Sequence, residues 1–251
     1  MRLMELRYLW TPTFIRPRMV AAWPGMGYLA KISADYLRKR LRAKPFAEIN
    51  YYQNSIIYRD GVAELPSIKH TFYAAQKEDL IICVGEAQPT IPEEAYRLAR
   101  CVIGVAERFG VRRIYTMAAY PTDYYGEPNV YGVCNDERLM EILLRYDVKP
   151  LEGEGAVNGL NGILIGVAKQ RGIEGICLLG EIRYANIPQH LSSKAVLEKL
   201  SAILGIEIDT SPLVERARRI DESIRRRLLE YQREEEEAYR REEEKAYRYV
   251  S

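Results

Sequence analysis

Histidine is nearly absent from this chain: two in 251 residues, His70 and His190. Two imidazoles cannot furnish a His-rich metal site, and no Gly-x-Ser-x-Gly elbow offers a serine nucleophile. Cysteine is sparse too. Cys83, Cys101, Cys134 and Cys177 stand 18, 33 and 43 residues apart, so no Cys-x-x-Cys pair exists to hold zinc. Cys83 and Cys177 fall in apolar runs, where a thiol acts as a small hydrophobe. A phosphate loop ending in Gly-Lys-Ser/Thr is missing. No apolar run approaches the ~20 residues that span a bilayer, and Met1-Arg2-Leu3-Met4-Glu5 carries charge where a signal peptide has an apolar core. Charge of one sign is lacking: 37 Lys and Arg against 35 Asp and Glu leave +2, which supplies no global field for nucleic acid or an acidic membrane. The arginine clusters at 38–42, 216–219 and 225–227 read as solvated helix faces. These absences predict a soluble cytoplasmic protein with no metal, no cofactor, no nucleic-acid partner and no membrane anchor. Scarce Gln beside abundant Glu, Arg and Tyr is a thermophile's composition.

What is present is an alternation of strands and helices over most of residues 18–205. Residues 2–10 and 18–23 read as strands, and Pro24-Gly25-Met26-Gly27 breaks the second. A helix over about 28–43 and a strand from Phe46 follow, which is the building block of a parallel sheet. Residues 51–75 differ: Asp60-Gly61 between two short apolar runs marks a hairpin insertion, followed by an antiparallel strand. Leu80–Val84 is a buried strand ended by Gly85-Glu86-Ala87-Gln88-Pro89, with Thr90 placed to cap a helix over 92–109. A strand at 112–119, a long loop at 121–128, a short strand at 130–134 and a helix over 136–146 capped by Asn135 come next. The turn-dense 153–162 leads into a helix at 163–171, the strand 174–179, the break Gly180-Glu181, and a helix at 192–204 capped by Ser192. The fold predicted is an α/β, three-layer α/β/α sandwich on a largely parallel mixed sheet, over residues 1–212.

In such sheets ligands bind at the carboxyl ends of strands. Glu86 and Glu181 stand at two of those ends and could form an acid/base pair with Asp123 and His190 nearby, the basis of a hydrolase- or phosphorylase-like reading. The competing reading has both glutamates capping helices or binding backbone amides in tight loops. Gly25 and Gly27 open a helix and could bind an anion, as in a nucleotide-binding regulator, but the third glycine of a dinucleotide fingerprint falls at Ala30. No catalytic set emerges.

The ordered segments resemble the proteasome assembly chaperone superfamily of archaea and actinobacteria, in the branch related to the second eukaryotic chaperone. Met19–Gly27 is similar to its first strand and glycine turn, with Gly25 and Gly27. Leu80–Val84 with Gly85, Glu86, Gln88 and Pro89 is similar to its second. Asn158-Gly159-Leu160-Asn161-Gly162, then Arg171 through Gly180-Glu181, is similar to its third. The resemblance covers about residues 18–215. It implies a phosphorylase/hydrolase-like sandwich without an established catalytic site, a homo-oligomer, and binding to proteasome α-subunits as the ring assembles.

Glycine and proline are absent after Pro212. Leu213, Ala217, Ile220, Ile224, Leu228 and Tyr231 recur at spacings of 4, 3, 4, 4 and 3, an amphipathic stripe suited to packing on the body or a second subunit. Beyond Tyr231 the stripe decays, and the favourable i,i+4 pairs Glu236–Arg240, Glu237–Arg241 and Glu244–Arg248 suit an exposed helix or a solvated tail. Residues 213–251 are therefore read as a charged helical extension that presents Tyr247, Tyr249, Val250 and Ser251 to a protein partner. The resemblance implies a terminal hydrophobic–Tyr–any motif that docks between α-subunits. Here Val250 occupies the tyrosine's place and Tyr249 stands one position early.

Overall fold

The computed structural model describes residues 4–52 and 56–250, with side chains in the last helix described through Arg227 and at 229, 230 and 233. Among the described residues, eleven strands and six α-helices follow in chain order: β1 (Met4–Tyr8), β2 (Arg18–Ala22), α1 (Leu29–Arg40), β3 (Lys44–Tyr52), β4 (Ile57–Arg59), β5 (Val62–Glu64), β6 (Ser67–Ala75), β7 (Leu80–Gly85), α2 (Pro92–Arg108), β8 (Arg113–Pro121), β9 (Val130–Cys134), α3 (Met140–Arg145), β10 (Lys149–Pro150), α4 (Leu160–Gln170), β11 (Glu174–Ile182), α5 (His190–Leu204) and α6 (Ser211–Val250). The main sheet has the order β1-β3-β6-β7-β2-β8-β11-β9-β10, and β4 pairs with β5 alone. β7, β2, β8 and β11 are mutually parallel. Antiparallel β6, β3 and β1 extend one side, and β9 lies antiparallel to β11 on the other.

β7 is buried at every position, β2 and β11 at all but their first, and β8 over Ile114–Met117. That is why they read as largely apolar runs rather than alternations. α1 packs with α5, and α2 with α4. α2 carries Pro92 at its first turn, where no amide is needed, and Glu93 and Glu94 against its positive end. Its buried face runs Ala95, Leu98, Ala99, Val102, Ile103, Val105 and Ala106. All four phenylalanines meet beside it: Phe46 lies 5.3 Å from Phe109 and 6.2 Å from Phe72, and Phe14 lies 5.6 Å from Phe109, mostly edge to face. The expected α/β/α sandwich on a mixed, largely parallel sheet is the fold adopted, with the hairpin about Asp60-Gly61 also in place.

Several local expectations change. The first strand stops at Tyr8 rather than at residue 10, while the start expected at residue 2 lies outside the described residues. Thr90 does not cap α2; Ile91 holds that place without a side-chain bond. Asp136, not Asn135, caps the turn before α3 by accepting from the Arg138 amide. Asn135 instead bridges β9 to β11 and α4, donating to Ile165 O and Ile173 O and accepting from the Gly175 amide. Ser192 lies inside α5, which begins two residues earlier at His190, and its hydroxyl donates to Glu181 O. Asn135 and Ser192 each found nonlocal partners better placed than the nearest helix end.

The chain divides into two compact units, residues 1–210 and 211–251. The second is the continuous helix α6, 40 residues, or about 60 Å at ~1.5 Å per residue. On it Leu213 is buried, and Ala217, Ile220 and Ile224 are half-buried. The side chains of Leu228, Tyr231, Tyr247, Tyr249 and Val250, and all of Ser251, lie outside the described residues.

Candidate functional site: the strand-end seam

The parallel strands β2, β7, β8 and β11 all end at one edge of the sheet, the edge where α/β proteins seat ligands. Here the loops of the chain itself fill that edge with hydrogen bonds. After β2, the backbone of Trp23 is held at both polar groups by Asn161 in the first turn of α4. The Trp23 amide donates to Asn161 Oδ1 at 3.0 Å, and Asn161 Nδ2 donates to Trp23 O at 3.2 Å. After β7, Gln88 spans two loops: Nε2 donates to Pro24 O at 2.5 Å, and Oε1 accepts from the Leu160 amide at 2.7 Å. Asn161 is buried and Gln88 half-buried, so these amides replace water rather than compete with it.

The glycines create the room. A Cβ on Gly162 would stand 2.0 Å from Val157 O, a backbone atom that cannot swing aside, and one on Gly159 would stand 2.7 Å from Gln88 Oε1. Gly159 also has φ +78°, which L-residues avoid. Gly85 leaves space for Trp23, whose Cδ1 would lie 2.1 Å from an added Cβ. Gly180 lets Leu29 of α1 and Val196 of α5 close on β11. Gly25 makes no such demand: an added Cβ would meet Gln88 at an ordinary 3.8 Å. Gly27 spends its amide on Ala185 O at 2.6 Å, and its carbonyl accepts from the Gln189 amide at 2.8 Å. The glycine turn thus ties the β2 loop to the β11 loop, and its amide is not open to an anion. Pro89 is half-buried in the loop between β7 and α2.

The two glutamates serve separate loops. Glu86 is exposed, and its Oε2 accepts from the Lys69 amide at 3.0 Å. Glu181 is buried, with Oε2 accepting from the Asn129 amide at 2.8 Å and Asn129 Nδ2 at 2.9 Å, while Tyr131 Oη donates to Oε1 at 3.3 Å. Burial by itself pushes the Glu181 carboxyl up, but the Asn129 and Tyr131 bonds outweigh it and hold the group below the ordinary glutamate range. An ionised, fully engaged carboxylate is an anchor for the 122–129 loop, not a proton donor. Asp123 is exposed in that loop, and His190 starts α5. The reading in which both glutamates bind backbone amides is therefore the one the geometry bears out.

Trp23 and His70 are the pair that sequence reasoning missed. Trp23 Nε1 donates to His70 Nδ1 at 3.0 Å, and both rings are fully buried. His70 lies opposite Gly85 in the β6–β7 ladder. The only local signal was a tryptophan placed directly before Pro-Gly at a strand end, where an exposed loop would begin. Burial drives the His70 imidazole down to about 4. The thiols of Cys83 and Cys177 are likewise pushed up by burial, and the cysteines are free. No cluster of His, Cys, Asp and Glu suited to a metal occurs among the described residues. An open hollow of about 660 Å³ lies at the far end of α5, lined by Glu198, Ser201, Ile206, Glu207 and Asp209 among others, away from the strand-end loops. No helix among the described residues is long and apolar enough to cross a membrane.

These features define a class: a doubly wound α/β/α sandwich whose ligand edge is sealed by its own loop amides. The chain belongs to the PAC2 family, whose model matches residues 19–228. Pyrococcus furiosus PbaB, an archaeal proteasome activator, is 33% identical with a TM-score of 0.80, over 90% of this chain and 99% of that one. Pyrococcus furiosus PbaA, an archaeal homolog of proteasome-assembly chaperone, is 22% identical with a TM-score of 0.74 over 98% of this chain and 99% of its own, a likeness of fold. A Methanocaldococcus jannaschii protein described as uncharacterized is 27% identical over 211 residues, 82% of this chain and 81% of that protein. The resemblance drawn from the glycine motifs thus holds at the level of the family.

Proposed function

We propose that the protein is a non-enzymatic, proteasome-directed chaperone or activator, working in the cytoplasm as a homo-oligomer that binds proteasome α-subunits. The observation that carries this reading is the 33% identity to PbaB over nearly the full length of both chains. The sealed seam supports its non-enzymatic part. Gln88, Asn161 and Glu181 stand where an α/β enzyme would hold substrate, and each is committed to backbone partners. In this reading residues 1–212 form the assembling body and 213–251 the presenting arm, with the stripe Leu213, Ile220, Ile224, Leu228 and Tyr231 used in contact and the terminal residues offered to the ring.

The test is capture of purified α-subunits by the full chain and by a chain ending at Tyr231. Capture by the full chain alone supports the presenting arm. Capture by both assigns the contact to the body. Capture by neither overturns the proteasome reading.

A further inference from the structure

The main sheet has two edges, and they are unlike. β10 is two residues long and consists of Lys149 and Pro150; a short edge with lysine and proline is closed to further pairing. β1 is five residues long, has no proline, and among the described residues pairs only with β3. Its middle residues Glu5, Leu6 and Arg7 are exposed, Leu6 at 38%. The outer edge of β1 carries no strand partner among the described residues, which leaves its row of backbone donors and acceptors for pairing.

We infer that this edge pairs with the β1 edge of a second copy, antiparallel about a two-fold axis at Leu6, to make one continuous sheet across two subunits. The side-chain order carries the inference. In that register Leu6 faces the partner's Leu6, and Glu5 faces the partner's Arg7 at both of the symmetry-related positions. An isologous contact must be self-complementary, and Met-Glu-Leu-Arg-Tyr is so when read against its own reverse. Charges that merely guard an edge repel a second copy when they share one sign; one acid and one base placed symmetrically about an exposed leucine attract it. A parallel pairing would set Glu5 against Glu5 and is disfavoured.

The same register gathers apolar surface that otherwise has no partner. β3 runs antiparallel to β1, so its end at Tyr52, and the hairpin beyond it, lie at the Met4 end of β1. In that hairpin Ile57, Tyr58 and Val62 are all exposed, Tyr58 at 74% and Val62 at 66%. The two-fold brings the partner's Tyr8 end, with exposed Leu9 and Trp10, to that same end of the seam. The inference deepens the self-association in the proposed function and does not depend on α-subunit binding.

A charge swap tests it in the full-length protein. Glu5→Arg and Arg7→Glu each turn two attractive cross-seam pairs into two repulsive ones, and each should weaken self-association about tenfold, measured by sedimentation. The double variant Glu5→Arg/Arg7→Glu restores the complementarity and should restore the wild-type mass. Leu6→Cys, at the axis, should give a disulfide-linked dimer under mild oxidant that the wild type does not form. An assembled wild type whose mass ignores both single substitutions overturns the β1 contact while leaving self-association standing. A monomeric wild type overturns both, and capture of α-subunits is read independently of either.

Discussion

The indole of Trp23 donates to His70 Nδ1 inside a layer that keeps water from both rings, and His70 Nε2 has no hydrogen-bond partner among the described residues. The ring is thus held neutral, with the Nδ1 lone pair in use. A proton on Nδ1 would set donor against donor and charge a site without solvent. The imidazole sits near 4 when folded against about 6.5 in the unfolded chain. As pH falls, the unfolded chain takes up this proton first. His70's contribution is therefore fully present above about 6.5 and is lost as pH falls toward 4, amounting to on the order of 3 kcal/mol. Glu181, held low, loses its own contribution only below the ordinary glutamate range. Denaturant unfolding at pH 6.5 and 5 separates the two. The wild type should weaken across this window, and His70→Gln, which keeps an acceptor for Trp23, should be flat across it. His70 and Trp23 were not legible as a pair, because they lie 47 residues apart and only the β6–β7–β2 neighbourhood brings them together.

At the scale of elements, the turn into α4 is where local and nonlocal demands coincide. Gly162 packs against Val157 O, and Gly159 takes a left-handed φ beside Gln88. Gly162→Ala has no rotamer with which to escape a backbone oxygen. It should cost about 1–3 kcal/mol, the range for overpacking, and lower the thermal midpoint. Gly25→Ala, with only an ordinary contact to Gln88, should melt close to wild type. Strands β2, β7, β8 and β11 were legible because their buried centres are short, largely apolar runs. Helix starts were less legible. Asn135 and Ser192 are good caps by type, yet Asn135 is drawn to three backbone groups on neighbouring elements and Ser192 to Glu181 O. Gln88, Asn161 and Glu181 were picked out by the glycine motifs around them, but what each one bonds to depended on loops 50–140 residues distant.

At the scale of the whole molecule, the presenting arm of the proposed function rests on the last residues of α6. The α6 backbone is helical to Val250, so the order of its last residues determines what a docking site meets. If the arm docks by a terminal hydrophobic–Tyr–any motif, Val250→Tyr places Tyr249, the new tyrosine and Ser251 in register. Binding to α-rings should then rise about tenfold or more over the wild type, scored by titration against assembled rings; an unchanged affinity removes terminal docking from the proposed function.

The sequence by itself determined the class of fold, the alternation of strands and helices, the hairpin at Asp60-Gly61, the charged helix after Pro212 and the family. All of these follow from periodicity, turn chemistry and the order of glycine motifs, which are properties of neighbouring residues. Only the tertiary structure decided that the strand-end edge is sealed rather than open, that Glu86 and Glu181 anchor different loops, and that β1 is the outer strand of the sheet among the described residues. Those outcomes depend on which strands become neighbours. Sheet order is set by the packing of whole elements against one another, and no local stretch of the chain contains it.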